Sequence, residues 1–159
     1  MSCSVASRSA SADRYVMSLL SPPDREYESR IRTSFARQQA MQLMGASLRR
    51  VEPGAVSIAL PYRADLTQQN GHIHAGIITA IADSACGYAA YTLMPAGADV
   101  LSVEFKVNLL RPAAGEEFVA EAQVVKTGRT LTVTRCDVYS QAANETRMIA
   151  TMLATMIRR

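Results

Sequence analysis

There is no tryptophan in the 159 residues, aromatic side chains make up 6% of them, and the cysteines number 3. Cys3, Cys86 and Cys136 are an odd set with neither CxxC nor metal-ligand spacing. That argues against a disulfide framework and makes reduced thiols in a reducing compartment the expectation. Residues 1–12 are rich in Ser and Ala, with Arg8 alone charged. They lack the apolar core of a secretory signal, so a flexible tail and a cytoplasmic location are expected. The formal net charge of +3 is small and dispersed. It gives no grounds for a nucleic-acid partner and suits a soluble protein that meets anionic small molecules. Repeats and low-complexity segments are absent beyond the tail, and the remaining 13–159 reads as a single domain with a sizeable core.

The most informative absence lies mid-chain: from Ala75 to Met94 there is no Lys, Arg or Glu. A helix there has no conventional charged face, and a helix apolar nearly all round is a buried one. Asp83, Ser84, Tyr88 and Tyr91 make it a poor membrane span, so no membrane partner is expected. Asp83 is costly in such a place, because Asp is a weak helix former and an unpaired buried carboxylate is unfavourable. It serves either a structural role, bonded to neighbouring backbone, or a chemical one.

Before this helix, Pro22-Pro23 end the turn of Asp13 to Leu20, and Asp24 opens a helix over 24–43 with Tyr27, Ile31, Phe35 and Gln38 along one stripe; Gly45 stops it. Ser47–Val51 and Ala55–Tyr62 flank Glu52-Pro53-Gly54 as a hairpin, the second strand alternating as a half-buried one does. Arg63–Ile73 is a loop. After the central helix, which ends around Pro95-Ala96-Gly97, come four strands read as an antiparallel meander. Leu101, Val103, Phe105, Val107 and Leu109 alternate with Ser102, Glu104, Lys106 and Asn108. Glu117–Lys126 and Arg129–Ser140 join at Thr127-Gly128. Met148–Ile157 is apolar or Thr on both faces, as a strand covered on both sides should be. The sum is an α+β architecture, one antiparallel sheet wrapped around one long apolar helix with an extra N-terminal helix.

The order of elements, His74-Ala75-Gly76 at the helix start, Asp83 nine residues after His74, Leu101-Ser102-Val103-Glu104-Phe105, and Leu110-Arg111-Pro112 followed by Gly115-Glu116 resemble the hotdog-fold thioesterases of the phenylacetate-pathway (PaaI-like) group. The similarity spans residues 45–159. It implies hydrolysis of acyl-coenzyme A thioesters by a homodimer or a dimer of dimers, without a cofactor. By family pattern Asp83 acts as nucleophile or general base, the Ala75 N–H holds the thioester oxygen, and Ser102 assists Asp83. The polar amide six residues before the motif His falls on Gln68, with Gln69 and Asn70 beside it, where the family often has Asn. The motif reads His-Ala-Gly where His-Gly-Gly is commoner, which sets a methyl group beside the oxyanion position.

The residues themselves support part of this chemistry. First-turn amides of a helix are unpaired and favour an anion, and a partly desolvated carboxylate suits a base. Ala75 and Asp83 lie eight residues apart, about 12 Å along a helix axis. One reacting carbon cannot touch both, so a second helix must lie antiparallel, with Asp83 of one protomer facing Ala75 and Gly76 of the other. His74 reads as a structural residue fixing the turn. With His72 it could begin a metal site, but no Asp, Glu or Cys is close in sequence, and no metal is expected. Strand alternation sets Ser102 off the main apolar face, and Cys86 reads as a small buried hydrophobe. Arg111, Lys126 and Arg129 are candidates for coenzyme A phosphates, or else solvated strand ends. The competing reading is a non-catalytic acyl-coenzyme A-binding or regulatory domain.

Overall fold

The computed structural model describes residues 21–143 and 145–159. The expected tail, the turn of Asp13 to Leu20 and Cys3 lie outside the described residues. Among the described residues three α-helices, one 3-10 turn and six strands follow in the order α1 (Tyr27–Ala36), α2 (Gln39–Met44), β1 (Ser47–Glu52), β2 (Ala55–Pro61), the turn Ala64–Leu66, α3 (Ala75–Tyr91), β3 (Val100–Leu109), β4 (Glu117–Thr127), β5 (Leu131–Ala142) and β6 (Glu145–Arg158). The strands form one antiparallel sheet in the order β1-β2-β4-β5-β6-β3. Helix α3 packs against it, which is the sheet-wrapped helix of the hotdog fold.

Small side chains let α3 approach the sheet. Ile78, Ile81, Ala82, Ala85, Cys86 and Ala89 are fully or almost fully buried in one core with Val56, Ile58, Leu60, Phe118, Ala120, Val138, Met152 and Met156. A second stripe on α3, Ser84, Tyr88 and Tyr91, turns to the N-terminal helices. The Phe35 and Tyr88 rings meet at 5.7 Å. Arg30 reaches the carboxyl end of α3: its Nη2 donates to the carbonyls of Met94 (2.9 Å) and Tyr91 (3.3 Å), its Nε to Asp24 Oδ2 (2.8 Å), and its guanidinium lies 4.2 Å from the Tyr91 ring centre.

Four expectations need correction. The N-terminal helix is two helices, broken at Arg37-Gln38, where Gln38 takes φ −79° and ψ 90°. No Pro or Gly causes the break; packing does, since it lets Phe35 and Met41 both bury. Asp24 does not cap the helix directly but forms the turn before it, its Oδ1 accepting from the Glu26 N–H at 2.9 Å; Gly45 does end α2, at φ +75°. The last four strands are not a simple meander. Strands β4-β5-β6 are consecutive, whereas β3 pairs with β6 at the sheet edge. Finally, β6 is covered on one face only. Ala150, Met152, Ala154 and Met156 are buried, while Leu153 is 52% exposed and its neighbours Thr151 and Thr155 bond Asp137 and Glu104 on the open face.

Candidate active site

The approach to α3 is built by a small hairpin-like loop. Thr67 bridges Ile73, the Gln68 N–H donates to the His72 carbonyl at 2.8 Å, and the Gly71 N–H returns to the Gln68 carbonyl at 3.0 Å. His74 then caps the helix, its Nδ1 accepting from the Gly76 N–H at 2.9 Å. A Cβ on residue 76 would come within 3.1 Å of that Nδ1, so glycine is what lets the ring fold back. The bond also fixes the ring: Nδ1 is the acceptor, so the proton sits on Nε2. It has a consequence for the anion site. The Gly76 amide, expected to face the carboxylate beside Ala75, is already engaged by His74. Ala75 N–H has no acceptor among the described residues and is the free first-turn donor.

Ala75 opens onto a cavity of about 710 Å³, lined also by Gln68, Asn70, His72, Ile78 and Arg111. Gln68 and Asn70 therefore border the helix start and Gln69 does not. The Gln68 side-chain oxygen accepts from the Asn70 N–H. Arg111 is held in the wall by a 2.7 Å bond from Nη1 to the Met148 carbonyl.

Asp83 lies two turns further along α3. It is half-buried rather than sealed: Ile81, Ala82 and Ala85 turn to the core, while Asp83 projects beside the first residues of β3. Ser102 Oγ donates to Asp83 Oδ1 at 2.6 Å. Strand alternation sets Ser102 off this face; a bulge at Val103 accounts for the difference. Ser102 pairs with Met156 and Glu104 with Thr155, so one extra residue keeps Ser102 in phase with Phe105, Val107 and Leu109 on the helix side. Asp83 and Ser102 line a second cavity, of about 250 Å³, walled on its far side by Ser34, Gln38 and Tyr88. Sequence reasoning missed that the N-terminal helices contribute here; the polar Gln38 on an otherwise apolar stripe was the available signal. Burial pushes the Tyr88 phenol above its ordinary value, which keeps it a donor.

The two cavities share no residue. Nor do the three basic candidates converge. Arg111 N–H bonds the Ile149 carbonyl, whereas Leu131, just past Arg129, pairs with Ile157 of the same strand, eight residues or roughly 27 Å away. Lys126 and Arg129 thus occupy the end of the sheet opposite Arg111. Cys86 and Cys136 are buried free thiols; the hydrogen bond with Cys86 and burial push the Cys136 thiol well up. Among the described residues no group of three His, Cys, Asp or Glu side chains could hold a metal, and no helix is long and apolar enough to cross a membrane.

Comparison with known proteins places this geometry in context. A family model described as the thioesterase superfamily matches residues 70–146. A candidate esterase of Halobacterium salinarum is 31% identical over 107 residues, covering 64% of this chain and 70% of that protein. Among solved structures, a thioesterase family protein from Silicibacter pomeroyi is 52% identical with a TM-score of 0.82, covering 83% of this chain and 97% of that one. The Escherichia coli PaaI protein from the phenylacetic acid degradation operon is 17% identical with a TM-score of 0.77, covering 86% of this chain and 96% of that one, a likeness of fold.

Proposed function

The chain belongs to the thioesterase superfamily, and on that premise we propose that it hydrolyses acyl-coenzyme A thioesters, with Asp83 as general base. The observation that carries the reading is the Asp83 carboxylate, held through Oδ1 by Ser102 at 2.6 Å and bordering a cavity in the flank of an otherwise apolar helix. Asp83 takes a proton from water as the water oxygen attacks the acyl carbon. The carbonyl oxygen becomes negative and is held by the Ala75 N–H, where the helix dipole adds to the hydrogen bond. The carbon–sulfur bond then breaks, and the proton passes from Asp83 to the departing thiolate.

Ala75 and Asp83 belong to separate cavities about 12 Å apart along one helix. The reading therefore requires a homodimer in which the Ala75 donor comes from the antiparallel partner helix. Gln68, Asn70 and His74 shape the donor side, with Gly76 acting through the His74 ring. Arg111 is the coenzyme A contact beside Ala75, and an antiparallel partner would return its own hairpin, with Lys126 and Arg129, to that end of the dimer.

The test is thiol release from a panel of acyl-coenzyme A esters. Asp83→Asn lowers turnover by roughly a hundredfold or more, as expected when a general base is removed, and leaves the fold intact. A folded Asp83→Asn protein with wild-type turnover would remove the base, and an absence of turnover on any ester by the wild type, with tight binding retained, would favour a binding domain.

A further inference from the structure

Gly87 sits in the interior of α3, where glycine weakens a helix relative to alanine. Alanine fills much of the rest of that helix, at Ala80, Ala82, Ala85, Ala89 and Ala90. The other glycine of α3 has a steric reason, since a Cβ at Gly76 would lie 3.1 Å from His74 Nδ1. Gly87 has none. It lies within ordinary right-handed helix, and a Cβ built on it would meet no heavy atom within 4 Å among the described residues.

The open space at Gly87 adjoins the candidate base. Gly87 is four residues after Asp83, one turn or about 6 Å along the same helix face, and both residues line the cavity of about 250 Å³. That cavity carries charge of one sign. Asp83 and Asp99 border it, and no Lys or Arg does among the described residues. The cavity at Ala75 is the opposite case, with Arg111 and His72 in its wall and no carboxylate. A phosphate-bearing group is drawn to the Ala75 cavity and repelled from the Gly87 cavity.

We propose that the cavity shared by Asp83 and Gly87 receives the acyl group of the thioester, that this acyl group is uncharged, and that the missing side chain at position 87 sets how bulky it can be. The inference rests on the thioesterase reading above, with Asp83 at the reacting carbon. A thioester has two limbs. In a site assembled from two antiparallel helices, the acyl carbon lies between Asp83 of one protomer and the oxyanion donor of its partner, so the limbs leave toward different cavities. Coenzyme A carries the phosphates and takes the basic one. The acyl group takes the other, where a chain that begins at Asp83 and follows α3 comes to Gly87 one turn later. An acetyl group stops short of that point, whereas a hexanoyl group passes over it. An acyl group ending in a carboxylate meets Asp83 and Asp99 and is rejected by like charge.

The test is kcat/KM of wild type, Gly87→Ala and Asp99→Asn on acetyl-, butanoyl-, hexanoyl- and succinyl-coenzyme A. In Gly87→Ala the ratio of hexanoyl to acetyl falls by about tenfold or more, as one methyl group does in a fitted pocket. Its melting midpoint stays at or above that of wild type, because alanine is the better helix former. Wild type uses succinyl about tenfold less well than butanoyl, which has the same number of carbons, and Asp99→Asn narrows that gap severalfold. An unchanged hexanoyl-to-acetyl ratio in Gly87→Ala overturns the role of Gly87, as does an equal loss on every ester, which would assign the open space to a partner chain. Equal use of succinyl and butanoyl by wild type overturns the uncharged acyl group. The same ratios are read as dissociation constants in Asp83→Asn protein with and without Gly87→Ala. If wild type turns over no ester but the binding ratio shifts, the thioesterase reading falls and the acyl pocket stands. If Asp83→Asn abolishes turnover and neither ratio shifts, only the role of Gly87 falls.

Discussion

At the scale of single residues, the contact that most shapes the chemistry is the 2.6 Å bond from Ser102 to Asp83. A hydroxyl donating to a carboxylate is a charge-assisted bond, stronger than a neutral one. It occupies one oxygen and leaves the other for water, so the carboxylate presents a single defined basic atom. Ser102→Ala removes that restraint, and kcat is expected to drop about tenfold, the equivalent of about 1.4 kcal/mol. Ser102→Thr, which keeps the hydroxyl, should recover most of it. Turnover measured on one good ester decides this, and equal rates for Ser102→Ala and wild type would reduce Ser102 to a packing residue. His74 works in the same manner on the other half-site. By capping Gly76 it stabilises the first turn of α3 while leaving Ala75 N–H without a partner.

At the scale of elements, the N-terminal helices are more than an appendage, because Arg30 ties α1 to the carbonyl of Tyr91, the last residue of α3, and to that of Met94 just beyond it. A cation at a helix carboxyl end is favourable twice over, through the dipole and through hydrogen bonds to the terminal carbonyls. Arg30 is also largely buried, with its side chain 17% exposed. Replacing it by Met leaves Asp24 Oδ2 and the Met94 carbonyl without their donor and is expected to cost about 2 kcal/mol, lowering the melting midpoint by several degrees. A calorimetric scan in which Arg30→Met melts with the wild type would show the link to be incidental. How much of these elements could be read in advance followed from how local their causes are. The long α3 was legible because an unbroken uncharged stretch has few other uses, and the hairpin at Pro53-Gly54 because its turn chemistry is local. The break at Gln38 was not legible, since it comes from packing against a helix some fifty residues later. Nor was the bulge at Val103: alternation is a pattern of period two, and one inserted residue reverses every face after it without leaving a mark in composition. That slip is why Ser102 reads by alternation as facing away and yet reaches Asp83, and why the family resemblance located it where periodicity did not. The placement of β3 beside β6 is a tertiary choice of the same kind.

At the scale of the whole molecule, the sheet has two unlike edges. Strand β1 is short, bulged and lined by Arg49 and Arg50 in ion pairs with Glu117, Glu52 and Glu121. Such an edge resists pairing. Strand β3 is ten residues long, and on its helix side Phe105 and Leu109 are 44% and 55% exposed. A long apolar edge of this kind suits the proposed homodimer, in which a two-fold pairing along β3 would set the two α3 helices side by side in opposite directions. The half-sites can then be separated by genetics. Asp83→Asn removes the proposed base. Ala75→Pro removes the N–H donor while keeping the helix, because proline is favoured at the first helical position and His74, at φ −59° and ψ 137°, already has the backbone that precedes a proline. Each variant alone should be inactive. Unfolded together and refolded as a mixture, they form mixed dimers in which one site carries both defects and the other carries none. With random pairing, activity should return to about a quarter of wild type. If base and donor acted within one chain, every site in the mixture would lack one of them and no activity would appear, which makes the mixing experiment a direct measure of whether catalysis belongs to the chain or to the pair.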